Sequence, residues 1–111
     1  MTATGPGAGE VMARCREEGR AALVGYLPVG FPDLDTSIRA MVTLVENGCD
    51  IVEVGIPYSD PVIDGPVIQR AAAAALAGGT RVADVFAATR AVRDAGAAPV
   101  VMTYWNLVLR A

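Results

Sequence analysis

One stretch of the chain joins an apolar run to a loop rich in proline and glycine: Ile51-Val-Glu-Val-Gly-Ile-Pro-Tyr-Ser-Asp-Pro-Val-Ile-Asp-Gly65. The apolar run predicts a buried strand over 50–54. Successive side chains of a strand point to opposite faces, so Val52 and Val54 share one face and Glu53 lies on the other. Because an ionised carboxylate is costly to desolvate unless it is paired, Glu53 indicates a role beyond folding.

Two further apolar runs flank this strand, over 21–27 and 99–104, and each predicts another strand. Helical patterns separate the three runs. Strands that are apolar on both faces and alternate with helices predict a parallel sheet covered by helices, an α/β fold. Two architectures fit this order: an open doubly wound sheet, or part of a (β/α)8 TIM barrel.

The helix ends also carry signals. Asp33 or Asp35 is expected to cap the helix that precedes the central strand. Pro66 suits the first turn of an alanine-rich helix over 67–77, because its missing N–H would be unpaired there in any case. Thr80 is expected to cap the helix that follows.

The length bears on the choice of architecture. A barrel of this kind takes roughly 250 residues, whereas the chain has 111. On the barrel interpretation, residues 1–111 form the N-terminal part of a single domain and hold about the first three strands with their helices. Residues 1–20 would be an N-terminal tail that leads into a short helix.

The composition excludes several classes of protein. The chain is 53% hydrophobic and 19% charged, which is typical of a globular domain. The formal net charge is −3 and no basic stripe is present, so nucleic acid is not an expected partner. The longest run without a polar residue, 71–79, is too short for a membrane span, and the start lacks signal-peptide features. A cytoplasmic location with no membrane contact is expected.

The chain contains no histidine and no lysine. Within these residues this excludes Ser-His and Cys-His nucleophile pairs, most zinc sites and Schiff-base chemistry. Cys15 and Cys49 do not have the spacing of metal ligands, and no metal site and no disulfide are predicted. Acid–base chemistry must therefore come from Asp, Glu, Tyr or Cys.

The loops that follow the three predicted strands are the expected place for a site, because working loops of α/β folds lie at the carboxyl ends of the strands. Glu53 lies near the end of its strand, and Gly55 is expected to leave room beside it for a ligand. Plainer explanations stay open at this point. Glu53 could lie at a sheet edge or pair with an arginine, and Asp64-Gly65 could be a simple turn.

The motif Val-Glu-Val-Gly-Ile-Pro-Tyr-Ser-Asp-Pro-Val-Ile-Asp-Gly-Pro at 52–66 resembles the signature of the tryptophan synthase alpha subunit family. The resemblance continues at 26–33, Tyr-Leu-Pro-Val-Gly-Phe-Pro-Asp, and at 102–106, Met-Thr-Tyr-Trp-Asn. It covers about residues 20–111. It implies a (β/α)8 barrel lyase of tryptophan biosynthesis that cleaves indole-3-glycerol phosphate to indole and glyceraldehyde 3-phosphate.

The resemblance also implies roles for single residues. Glu53 matches the family's catalytic glutamate, and Asp64 matches its catalytic aspartate. Tyr26 matches an aromatic position that lines the indole pocket, and Met102 matches an apolar position there.

A partner is implied as well. Pro57, Asp60 and Asn106 match positions that face the tryptophan synthase beta subunit in an alpha2-beta2 heterotetramer. The beta subunit holds pyridoxal phosphate and condenses indole with serine, whereas the alpha subunit needs no cofactor of its own.

Two positions depart from the family pattern: Ile63 stands where alanine is frequent, and Tyr58 stands where phenylalanine is frequent. The family's phosphate-binding loops belong to strands later than residue 111. Two other interpretations stay open. The chain could be an inactive barrel fragment that acts only as an association module through exposed sheet edges, or part of another phosphate-sugar barrel enzyme such as an isomerase.

Overall fold

The computed structural model describes residues 5–60 and 62–110, so the first four residues of the predicted tail lie outside the described residues. Helices and strands alternate along most of the chain. The elements in chain order are α1 (Ala8–Glu17), β1 (Val24–Pro28), α2 (Leu34–Glu46), β2 (Ile51–Gly55), α3 (Pro66–Ala77), α4 (Asp84–Ala95), β3 (Ala98–Met102) and α5 (Trp105–Arg110).

The three strands form one parallel sheet in the order β1-β2-β3. The predicted parallel sheet is therefore confirmed, with β2 in the centre. The register places Tyr26 of β1 and Val100 of β3 on either side of Glu53. Two residues further along, Gly55 stands between Pro28 and Met102.

The two faces of β2 have opposite environments, as the alternation in the sequence predicts. Val52 and Val54 are fully buried in a core that α2 and α4 complete, with Met41 and Val92 among its members. On the other face Glu53 is half-buried. Helices therefore cover one face of the sheet, and the face that carries Glu53 is the one left available for chemistry.

The amino end of the sheet is closed by α1. Val11 and Cys15 of this helix pack against Ile51 and Ala98 at the starts of β2 and β3. Both cysteines are free thiols.

An ion pair fastens the segment after α1 to the start of β2. The Arg20 guanidinium donates two hydrogen bonds to the Asp50 carboxylate, at 2.9 and 3.0 Å, and the Leu23 N–H donates a third at 2.8 Å. These hydrogen bonds hold the pKa of Asp50 at about 2, below its ordinary value.

The helix ends confirm one capping prediction and correct another. Asp33 caps α2, and its carboxylate accepts the Thr36 N–H at 2.8 Å. The cap predicted at Thr80 is wrong, because α4 begins only at Asp84. The Asp84 carboxylate accepts the Arg81 N–H at 2.8 Å and so stabilises a turn before the helix, while Thr80 packs against Gly30.

The longest helix, α2, has 13 residues. Across residues 5–60 and 62–110, no helix combines the length and apolar character that a membrane crossing requires.

Candidate active site

The loops that follow the three strands lie at one edge of the sheet, as expected for parallel strands. Backbone hydrogen bonds fasten them to one another at their roots. The Val29 N–H donates to the Gly55 carbonyl at 2.9 Å, and the Ile56 N–H donates to the Met102 carbonyl at 3.0 Å. The loop over 56–65, called the β2–α3 loop below, therefore starts from a fixed position.

Glu53 occupies the central strand, so the sheet-edge explanation for this carboxylate is wrong. Among the described residues, the Glu53 carboxylate forms no ion pair and no side-chain hydrogen bond. The alternative that it pairs with an arginine is therefore wrong for the arginine side chains described. A half-buried carboxylate without such a partner contributes little to the stability of the fold. This environment favours a chemical role for Glu53.

Tyr26 links the two candidate carboxylates. Its ring is half-buried on β1 beside Glu53. Burial raises the pKa of the Tyr26 phenol above its ordinary value, and the negative charges of Asp64 and Glu53 raise it further. Both carboxylates are therefore close enough to act on the same hydroxyl, which stays protonated at neutral pH.

The space beside Gly55 is not open, contrary to the expectation from sequence. A Cβ atom at Gly55 would lie 2.5 Å from the Tyr26 hydroxyl oxygen and 2.8 Å from its Cε2 atom. Glycine is needed at this position because the phenol of the neighbouring strand fills the volume that a side chain would take. The glycine makes room for Tyr26, and Tyr26 in turn presents its hydroxyl to the site.

Asp64 lies in the turn that precedes α3 and is half-buried. Its main-chain carbonyl accepts a hydrogen bond from the Gln69 side-chain amide at 2.7 Å. Asp64 also borders a small cavity of about 70 Å³ between the loops. The cavity is lined by Tyr26, Ile56, Ile63, Asp64, Met102, Thr103 and Tyr104.

The lining is largely apolar and aromatic, with one carboxylate, a composition typical of small-molecule sites. Tyr26 and Met102, both predicted from sequence as pocket residues, belong to it. Met102 is half exposed, because it ends the strand at one edge of the sheet.

The three residues predicted to face a partner have different exposures. Asp60 and Asn106 are exposed, whereas Pro57 is buried. Only Asp60 and Asn106 therefore present their side chains at the surface in this conformation. Partner binding by all three residues stays a prediction.

Sequence reasoning missed the contributions of Ile56 and Gln69. Ile56 directly follows β2 and lines the cavity. Hydrophobic periodicity could not predict this, because the residue lies just beyond the end of the strand. Gln69 holds the carbonyl of Asp64 from the first turns of α3. No capping pattern indicates this contact, because a capping-box glutamine accepts the N–H of the N-cap residue, whereas Gln69 donates to the carbonyl of the residue before the N-cap Gly65.

Known proteins resemble this chain in sequence. The family model for the tryptophan synthase alpha chain matches residues 12–111. The tryptophan synthase alpha chain of Mycobacteroides abscessus is 66% identical over 101 residues, which cover 91% of this chain and 38% of that relative. The alpha chain of Mycobacterium ulcerans is 63% identical over 102 residues, with 92% and 38% covered. The chain thus spans about 38% of the length of these curated relatives.

Solved structures resemble it in fold. Tryptophan synthase from M. tuberculosis superposes with a TM-score of 0.89 at 61% identity, over 92% of this chain and 41% of that chain. The alpha subunit from Legionella pneumophila superposes with a TM-score of 0.85 at 32% identity, over 92% of this chain and 40% of that one. The three-stranded sheet and its helices are therefore the first part of a (β/α)8 TIM barrel, and the doubly wound alternative is excluded. The chain belongs to the tryptophan synthase alpha chain family.

Proposed function

We propose that this chain supplies the acid–base residues of a lyase that cleaves indole-3-glycerol phosphate to indole and glyceraldehyde 3-phosphate in tryptophan biosynthesis. The observation that carries the proposal is geometric: Glu53 lies beside Tyr26 in the register of β1 and β2, and Tyr26 lines the same cavity as Asp64. Two carboxylates at the carboxyl ends of barrel strands form an acid–base pair without histidine or lysine. Membership of the family makes this lyase the reaction to test.

The reaction assigns a different task to each carboxyl group. Cleavage requires protonation of indole C3, rupture of the bond between C3 and the glycerol chain, and loss of the proton from the adjacent hydroxyl group. Glu53 first donates its proton to C3, and its carboxylate then takes the hydroxyl proton as the aldehyde forms. The electron pair of the broken bond returns to the ring, so protons and electrons balance.

Asp64 acts on the indole nitrogen. When C3 is protonated the ring becomes positively charged, and its N–H group becomes acidic. A carboxylate at Asp64 accepts that N–H in a charge-assisted hydrogen bond and stabilises the charge where it develops. Positioned acid–base groups of this kind contribute about 10²–10⁴-fold in rate.

The rest of the substrate needs more protein than these residues provide. Tyr26 and Met102 contribute an aromatic and an apolar wall for the indole ring. We assign the phosphate grip to the later strands of the barrel. We also propose that no cofactor is held by this chain, that pyridoxal phosphate belongs to a beta subunit, and that Pro57, Asp60 and Asn106 face that subunit in a cytoplasmic heterotetramer.

One assay tests the proposal. Purified full-length protein is incubated with indole-3-glycerol phosphate, alone and with a beta subunit, and indole release is measured. We expect indole above background, and more with the beta subunit present. Circular dichroism serves as the control for folding. If the folded protein releases no indole under either condition, the lyase assignment is wrong.

An association role is the second candidate, and one observation favours it. Val100 and Met102 of the edge strand and Trp105 and Leu109 of α5 are exposed apolar side chains. Such a surface promotes self-association. Sedimentation of the 111-residue chain separates the two candidates: a concentration-dependent oligomer without indole release favours association, and a compact monomer contradicts it.

A further inference from the structure

The segment just before Asp64 lacks a side-chain anchor. Val62 and Ile63 are 72% and 84% exposed, so neither packs into the core. A segment whose own side chains are exposed is positioned mainly by its hydrogen bonds and by the contacts of its neighbours. The contacts that hold this segment therefore decide where Asp64 stands.

Tyr104 supplies one of these contacts. The Ile63 N–H donates a hydrogen bond to the Tyr104 hydroxyl oxygen, 3.4 Å away. Because Ile63 directly precedes Asp64, this contact fixes the backbone that leads into the carboxylate. The Asp64 carbonyl is fixed on its other side by Gln69.

Tyr58, which lies in the β2–α3 loop with Ile63 and Asp64, packs against Tyr104. The two rings lie 4.7 Å apart between centroids and are tilted by 31°, a separation typical of a favourable aromatic pair. The Asn106 side-chain amide donates to the Tyr58 hydroxyl at 2.6 Å. Phenylalanine at this position would keep the ring pair but lose the bond from Asn106.

We propose that Tyr104 is a positioning residue that holds Asp64 against the substrate nitrogen, and that Tyr58, held by Asn106, keeps the Tyr104 ring in place. Asn106 then has a task inside this chain in addition to any contact with a partner. The catalytic consequence rests on the proposed lyase function, whereas the structural part does not.

Amide hydrogen exchange tests the structural part in the full-length protein. Tyr104→Phe removes only the hydroxyl group that accepts the Ile63 N–H. We expect the Ile63 amide to exchange about fivefold faster, since one hydrogen bond of this kind contributes about 1 kcal/mol. Tyr26→Phe is the matched control, because the Tyr26 hydroxyl does not accept this N–H, and it should leave the exchange rate of Ile63 unchanged. Equal rates in Tyr104→Phe and wild type would overturn the proposal.

Steady-state kinetics test the catalytic part. We expect Tyr104→Phe to lower kcat about tenfold, or about 1.4 kcal/mol, with KM within about twofold, because a small misplacement of a catalytic group acts on the transition state. In an Asp64→Asn background the same change should have no further effect, since its target is gone.

The outcomes separate the two proposals. A tenfold loss that persists in the Asp64→Asn background would show that Tyr104 acts through general packing, and would contradict the positioning role. A wild-type protein that releases no indole would reject the lyase function, while the exchange rate of Ile63 would still decide whether Tyr104 holds the loop.

Discussion

Two carboxylates three residues apart have opposite environments: Asp50 directly precedes β2, and Glu53 lies within it. Asp50, at the amino end, accepts three hydrogen bonds from Arg20 and Leu23. Glu53, towards the carboxyl end, has no such partner within residues 5–60 and 62–110. A carboxylate with such partners stabilises the fold, whereas one without them is available to a ligand.

This difference extends to the surroundings of each group. The amino end is closed by α1, with Cys15 buried against Ile51 and Ala98. The carboxyl end holds the loops, the cavity and the half-buried Tyr26. In barrel folds stability resides at the first end and chemistry at the second, so substitutions at Asp50 and Glu53 should affect different measurements.

The largest expected effect is on turnover. Glu53→Gln keeps the shape of the side chain but cannot exchange the proton, so kcat for indole release from the full-length protein should fall by at least about 10²-fold. The thermal midpoint should stay within about 1 °C, because no described ion pair is lost. Glu46→Gln, at the exposed end of α2, is the matched control and should retain wild-type turnover. Wild-type turnover in Glu53→Gln would remove this residue from the mechanism.

A substitution beside Glu53 should affect stability through crowding. Gly55→Ala places a Cβ atom against the Tyr26 phenol, and overpacking of this kind costs about 1–3 kcal/mol. Urea denaturation of the full-length protein measures this loss. Adding Tyr26→Leu to the Gly55→Ala variant removes the ring and should restore part of the lost free energy of unfolding. Equal losses in the single and the double variant would show that the ring is not the cause.

Sequence alone predicted much of this end of the molecule. The alternation at 51–55 gave the correct faces for Val52, Val54 and Glu53, because the side-chain period of a strand is independent of tertiary contacts. The reason for Gly55 could not be predicted. It depends on the register between β1 and β2, which brings the Tyr26 ring across the strand, and the sequence does not state that register.

Sequence reasoning made one wrong prediction from local chemistry and missed two long-range contacts. Thr80 has the right composition for a cap, but the helix begins at Asp84, whose carboxylate accepts the Arg81 N–H in the turn before it. The contact between Asn106 and Tyr58 joins residues 48 positions apart in the chain, and only the fold brings such residues together. The ionic partner of Asp50 was missed for the same reason.

A moderate effect is expected at the amino end. Asp50→Asn removes the charge that pairs with Arg20 and should lower the free energy of unfolding by about 1 kcal/mol, since Arg20 is exposed enough to regain water. Turnover of the full-length protein should not change. Asp94→Asn, exposed near the end of α4, is the control and should leave the free energy of unfolding as it is. A loss of turnover in Asp50→Asn would contradict the division between the two ends.

The smallest effect is the contribution of Asp50 to the pH dependence of stability. Its pKa is about 2 in the folded protein, against roughly 3.9 in an unfolded chain. The unfolded state therefore binds the proton first as the pH falls, so the stabilisation is complete above about pH 4 and declines towards pH 2. Urea midpoints measured over this range should converge for wild type and Asp50→Asn at the acid end. The pKa of Asp33 is also lowered, by hydrogen bonds from Thr36, so some acid sensitivity should persist in the variant. A constant difference between the two proteins at every pH would mean that Asp50 stabilises the sheet through the shape of its side chain, and that its charge adds nothing.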